Sequence, residues 1–75
     1  MNAVEQKKEK LATEIEAAIE KDGVFHVDTC PTGAAFGWDM PLHYALEWFM
    51  RNPPSTWHIT RVYRHECYEW AITRK

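Results

Sequence analysis

The chain has 75 residues, which is the size of one small domain, and its 45% hydrophobic residues place it among globular rather than disordered proteins. A formal net charge of −2 argues against both a strong DNA-binding protein and an acidic mimic of DNA. No apolar run approaches the length of a membrane span, and the charged N-terminus lacks the apolar core of a signal peptide.

The first predicted element is a helix over residues 2–22. Its apolar residues recur at helical spacing: Leu11, Ile15, Ala18 and Ile19. Asn2, with Glu5 three residues later, has the pattern of a capping box. Gly23 stands where a left-handed C-terminal cap is expected. The charges over residues 5–10 alternate in sign, which is typical of a solvated helix face.

A short strand is predicted over residues 24–29, with Phe25 and Val27 on one face. The loop after it spans residues 30–38 and contains several small residues. The stretch over residues 33–37 lacks the glycine spacing and the following Lys-Ser/Thr of a phosphate-binding loop. These small residues therefore favour close backbone packing rather than a phosphate site.

A second helix is predicted over residues 39–52. Asp39 is a good N-cap residue, Pro41 suits the first turn, and Asn52 followed by two prolines ends the helix. The core stripe is Leu42, Ala45, Leu46 and Phe49. Large side chains flank this stripe: Tyr44, Trp48 and Met50. Because the helix is apolar over much of its circumference, it is either central to the fold or meets a partner.

Residues 57–64 and 67–73 predict an antiparallel hairpin, because β-branched and aromatic residues alternate with polar ones. Pairing Tyr63 with Tyr68 gathers the large apolar side chains on one face, whereas a shift of one residue would scatter them. That face holds Trp57, Ile59, Tyr63, Tyr68, Trp70 and Ile72, with Arg61 among them. The turn lacks Gly, Asn and Asp, so a two-residue turn and a four-residue loop over residues 64–67 both stay open.

The element order α-β-α-β-β predicts a single α+β domain. A three-stranded sheet packed on one face by two helices is the simplest way to bury both helical stripes. The spatial strand orders 1-3-2 and 1-2-3 are both compatible with the sequence. In the first order, strand two lies at an exposed edge of the sheet.

Metal and cofactor sites are not predicted. His26, Cys30, His65 and Cys67 have ligand chemistry, but their spacings are not those of a zinc ribbon or finger. Cys67 belongs to the hairpin tip, and Cys30 is expected at the opposite end of the sheet. Two separated cysteines fit a reducing cytosol, so a cytoplasmic location is expected.

Catalysis is not predicted either. Cys67 has the residue types of a thiol enzyme near it: His65 or His58 as the base, and Glu66 or Glu69 as the acid. Nothing in the sequence indicates an oxyanion hole, and a chain of this length rarely leaves room for a substrate cavity. We therefore predict no catalytic residue and expect the protein not to be an enzyme.

Nucleic-acid binding is the second functional hypothesis. The hairpin aromatics resemble a base-stacking platform with a basic rim formed by Arg61, Arg64, Arg74 and Lys75. However, the two helices need an apolar sheet face, and these same aromatics form it. Side chains buried under helices cannot stack on bases.

Protein binding is the first hypothesis, because aromatic residues remain after the core is filled, including one tryptophan of the hairpin. The expected surface comprises Trp38, Tyr44, Trp48, Arg51, Arg61 and Arg64. We expect a small non-enzymatic cytoplasmic protein that acts as an inhibitor, adaptor or regulator. Short, aromatic-rich chains of this kind are common among accessory proteins of phages and mobile elements. Homodimerisation is a competing use of the same surface.

Overall fold

The computed structural model of the chain describes residues 2–30 and 40–75. Two helices and three strands follow one another: α1 (Ala3–Asp22), β1 (Val24–Thr29), α2 (Met40–Arg51), β2 (Trp57–Arg64) and β3 (Cys67–Arg74). This order confirms the predicted α+β class and the α-β-α-β-β arrangement. Trp38, expected on the binding surface, and Asp39, expected as an N-cap, lie outside the described residues.

Helix α1 is capped at both ends as its sequence predicts. The Asn2 side chain accepts a hydrogen bond from the Glu5 backbone N–H at 2.9 Å. Gly23 has a left-handed backbone with φ of 80°, and its N–H donates to the Ile19 carbonyl at 2.8 Å. The predicted stripe is buried at Leu11, Ile15 and Ile19. Within the described ranges, neither helix combines the length and the apolarity needed to cross a bilayer.

The three strands form one sheet in the order β1-β3-β2, so β3 is central and antiparallel to both neighbours. Of the two predicted orders, this is the one that leaves β2 at an edge. Tyr63 pairs with Tyr68, which confirms the predicted register. The turn is the two-residue form, with φ of 53° at His65 and 66° at Glu66. A left-handed conformation costs an L residue about 1–2 kcal/mol, so the flanking strands must hold this turn in place.

The core lies between the helices and one face of the sheet. Its buried side chains come from both helices and from β2 and β3: Leu11, Ile15, Ile19, Ala45, Leu46, Phe49, Trp57, Trp70 and Ile72. Successive residues of a strand alternate between the two faces of the sheet, so the residues next to these core strand positions lie on the opposite face. Those on the opposite face are exposed at His26, Asp28, His58, Thr60, Val62 and Arg64. One face of the sheet is therefore packed, as predicted, and the other is open.

Cys30 and Cys67 form a disulfide. The expectation that these cysteines lie at opposite ends of the sheet is wrong, because β1 runs antiparallel to β3. Thr29 at the end of β1 is opposite Tyr68 near the start of β3. Cys30, which follows Thr29, therefore lies beside Cys67, which precedes Tyr68. Disulfides persist mainly in oxidising compartments, so cysteine usage no longer supports a reducing cytosol.

Candidate functional site

The outer face of α2 carries a row of exposed apolar side chains. Met40, Tyr44 and Trp48 follow one another at intervals of four residues and are 47%, 46% and 43% exposed. Residues four apart in a helix lie one above another, so the three form a continuous ridge. Arg51 extends this ridge at the C-terminal end of the helix. Such a ridge arises because large apolar residues occur on both faces of α2 and only one face meets the core.

Trp48 is held in place although it is exposed. Its ring contacts that of Phe49 edge-on, with 5.3 Å between ring centroids. The Lys8 ammonium from α1 lies 4.0 Å from the centroid of the Trp48 ring. A cation over an exposed aromatic ring contributes about 0.5–1 kcal/mol. These contacts therefore restrict the conformation of the Trp48 indole in the unbound protein.

A row of rings connects α2 to the hairpin tip. The ring centroids of Tyr44 and His43 are 5.7 Å apart, and those of His43 and Tyr68 are 5.5 Å apart. The Tyr68 and Tyr63 centroids are 4.9 Å apart. His43 is buried and Tyr68 half-buried, while the two end rings, Tyr44 and Tyr63, are exposed. The ring contacts therefore run from the helix to the hairpin, with an exposed tyrosine at each end.

The hairpin residue that completes this surface is a tyrosine, so the expectation of a surplus hairpin tryptophan is wrong. Trp57 and Trp70 are only 2% and 1% exposed. Each indole N–H also has a partner, Glu16 for Trp57 and Thr29 for Trp70. Both tryptophans are core residues, because the register places them under the helices.

A cleft of about 310 Å³ opens beside the ridge, between α2 and the hairpin strands. Its walls are Glu47, Met50, Arg51, Arg61 and Tyr68. The guanidinium carbon of Arg61 lies 4.9 Å from the Tyr68 ring centroid and 5.4 Å from that of Trp70. Arg51 and Arg61 each place a nitrogen 3.8 Å from a Glu47 carboxylate oxygen. These ion pairs are longer than hydrogen bonds.

A buried chain of hydrogen bonds positions Glu47 from the interior. The Trp70 indole N–H donates to Thr29 Oγ1 at 2.8 Å, and Thr29 Oγ1 lies 2.8 Å from His43 Nδ1. An indole can only donate, so the threonine hydroxyl accepts from Trp70, and its own proton is available for the hydrogen bond with Nδ1. The other ring nitrogen of His43, Nε2, lies 3.0 Å from Glu47 Oε1.

Thr29, His43 and Glu47 have the residue types of a nucleophile, base and acid. However, the Thr29 side chain belongs to a residue only 4% exposed, and its oxygen already accepts the Trp70 N–H. The arrangement therefore holds the Glu47 carboxylate in place rather than presenting a nucleophile to solvent. Sequence reasoning missed this network because hydrogen bonds join residues 14 and 41 apart, which no local pattern reveals.

The predicted site residues divide between the two sides of the sheet. Tyr44, Trp48 and Arg51 share the exposed face of α2, and Arg61 joins them through the cleft. Arg64 lies on the opposite face of the sheet, where it approaches Glu69 at 3.6 Å. Among the residues that the structure describes, no three His, Cys, Asp or Glu side chains come together as a metal site.

Comparison with known proteins adds no relative. The chain matches no protein-family model, and neither curated proteins nor solved structures gave a significant match.

Proposed function

We propose that this protein acts by binding another protein through the ridge of α2 and the adjacent cleft. The observation that carries the proposal is the row formed by Met40, Tyr44 and Trp48, three large side chains left exposed side by side. A small domain gains stability by burying such residues, so an exposed row of them favours an intermolecular role. Trp, Tyr and Arg are also the residue types enriched at interface hot spots.

The rigidity of the surface supports the same proposal. Trp48 is fixed between Phe49 and the Lys8 ammonium, and Arg61 lies over the Tyr68 ring. Side chains that are already ordered lose less conformational entropy when a partner binds. The proposed role is that of a non-enzymatic inhibitor, adaptor or regulator.

Its cellular compartment stays a prediction. The cytoplasmic prediction depends on two separated cysteines, whereas the Cys30–Cys67 disulfide is typical of an oxidising compartment. Electrophoresis of protein trapped with a thiol-blocking reagent in the source cells distinguishes the two. Blocked free thiols would support the cytoplasm, and an unmodified disulfide would contradict it.

Nucleic-acid binding is the second candidate, and one observation favours it. Tyr63 is 57% exposed and contacts Tyr68, over which the Arg61 guanidinium lies. This is a small stacking surface with one cation. It is weaker than the platform expected from sequence, because Trp57 and Trp70 are buried and unable to stack on bases.

Affinity capture from lysate of the source cells tests the proposal. The bait proteins are the wild type, a Trp48→Ala variant and a Val62→Ala variant, each with and without nuclease. Val62 is the matched control, because it is 47% exposed but lies on the open face of the sheet. Circular dichroism first establishes that both variants are folded.

The proposal predicts one protein partner that resists nuclease, survives Val62→Ala and is lost with Trp48→Ala. Capture that disappears with nuclease would favour the nucleic-acid candidate instead. Light scattering of the purified chain addresses homodimerisation. A dimer that Trp48→Ala dissociates would make a second copy the occupant of this surface.

A further inference from the structure

We infer that the cleft between α2 and the hairpin receives an acidic side chain of the protein partner, with its carboxylate on Arg61. This inference rests on the proposed function and specifies the chemistry of the partner.

Arg51 and Arg61 have guanidinium N–H donors that form no hydrogen bond to the described residues. Each approaches Glu47 only at 3.8 Å, and neither has a hydrogen-bond acceptor among the described residues. A guanidinium carries five N–H donors and forms its best contacts as two parallel hydrogen bonds to one carboxylate. Within residues 2–30 and 40–75, neither arginine therefore has the paired acceptor for which its geometry is suited.

Glu47 does not become that acceptor, because it is held elsewhere. His43 Nε2 lies 3.0 Å from Glu47 Oε1, and His43 is itself fixed through Nδ1 by the buried Thr29 hydroxyl. Swinging the carboxylate onto Arg61 would break this chain and leave buried polar groups unpaired. The hydrogen bonds of Thr29 and His43 thus keep Glu47 away from Arg61 and leave the Arg61 N–H donors available to a partner.

The charge of the cleft suits a single negative group. Two guanidinium groups flank one carboxylate, so the arginines and Glu47 leave one positive charge in excess. A polyphosphate backbone needs a track of cations, and Glu47 in the cleft would repel it. Met50 in the wall and the neighbouring ridge add apolar surface. The partner segment that fits carries an Asp or Glu beside an apolar residue.

Arg61 is arranged for this contact more fully than Arg51. Its guanidinium lies over Tyr68 and Trp70, and its side chain is 36% exposed, whereas the Arg51 side chain is 78% exposed. A partly buried, stacked guanidinium loses little freedom on binding and lies in a lower local dielectric. We therefore assign the main carboxylate contact to Arg61 and an auxiliary one to Arg51.

A pair of small probes tests this assignment without knowledge of the partner. The probes are the blocked dipeptide N-acetyl-Phe-Glu-amide and its Gln counterpart, which match in shape and differ in charge. The full disulfide-bonded chain is titrated with each, and the backbone and arginine Nε–H signals are followed by NMR. We expect the Glu probe to bind about tenfold more tightly and to shift the Arg61 Nε–H signal.

Two variants locate the response. Arg61→Gln should abolish the preference for the Glu probe, while Arg64→Gln, on the opposite face of the sheet, should retain it. If Arg61→Gln disturbs the fold, Arg51→Gln provides a second variant on a more exposed side chain, and it should weaken the preference.

Three outcomes would overturn the inference: equal binding of the two probes, a preference that survives Arg61→Gln, or displacement of the Glu probe by a short single-stranded oligonucleotide. None of them would by itself overturn the proposed function. Nuclease-resistant capture that depends on Trp48 is compatible with either of the first two outcomes. The partner would then bind the ridge without placing a carboxylate on Arg61.

Discussion

Cys30 and Cys67 are joined across neighbouring antiparallel strands, and the disulfide spans 37 residues of sequence. It links the residue that follows β1 to the first residue of β3, directly after the His65–Glu66 turn. Both turn residues adopt left-handed backbone conformations that L residues disfavour. The covalent link therefore secures the end of the sheet where the local conformation is least favourable.

Removing this link should cost a large part of the stability of the protein. The chain-entropy model gives a disulfide of this loop length about 4 kcal/mol, against a total of roughly 4–11 kcal/mol for a domain of this size. Urea unfolding with and without dithiothreitol measures the difference. The Cys30→Ser/Cys67→Ser double variant should match the reduced wild type and be insensitive to reductant. Equal midpoints for oxidised and reduced wild type would contradict a structural role.

The Thr29 hydroxyl should matter more than its size suggests. Thr29→Val keeps the shape but leaves the Trp70 indole N–H and His43 Nδ1 without their shared partner. Leaving buried polar groups unpaired costs about 1–3 kcal/mol each, so we expect a clear loss of unfolding free energy. Thr60→Val, on the open face of the sheet, should change it by less than about 0.5 kcal/mol. Similar losses in the two variants, measured by urea unfolding, would show that the buried network is unimportant.

Acid should destabilise the fold through Glu16. Hydrogen bonds from the Trp57 indole N–H and from Arg74 lower the pKa of the Glu16 carboxyl below its ordinary value of 4.5. A carboxyl with a lowered folded-state pKa stabilises the fold above its unfolded pKa, and this contribution is lost as pH falls through the folded-state value. Unfolding free energy should therefore decline as the pH drops below 4.5.

The Glu16→Gln variant should lose part of this acid dependence, so its stability should fall less steeply with decreasing pH than that of the wild type. Glu14→Gln is the matched control, because Glu14 lies on an exposed part of the same helix. Urea titrations at several pH values give the comparison. Parallel curves for wild type and Glu16→Gln would contradict the assignment.

The element order and the hairpin register could be predicted because they depend on local periodicity. Only one register keeps residues such as Trp70 and Ile72 together on one face, and a slip of one residue would expose them. The disulfide was within reach of the same reasoning. In the strand order 1-3-2, which the sequence allows, β1 is antiparallel to β3, and the pairing of Thr29 with Tyr68 then places Cys30 beside Cys67.

The remainder of the candidate site depends on three-dimensional contacts that no spacing encodes. His43 has the position of a helix-surface residue in the sequence, yet it is buried because Thr29 and Glu47 satisfy its two ring nitrogens. Tyr63 shares the alternation of the buried hairpin residues but is exposed near the turn. Alternation identifies the face of a strand, whereas exposure depends on which element covers it.

Binding through the α2 ridge is best tested by the affinity of the purified chain for the captured protein partner, measured by calorimetry. For a hot-spot residue, truncation to alanine costs about 2 kcal/mol or more, which is roughly a 30-fold rise in Kd. We predict at least this loss for Trp48→Ala and no change for Val62→Ala. An unchanged Kd in folded Trp48→Ala, or an equal loss in Val62→Ala, would contradict binding through the α2 ridge.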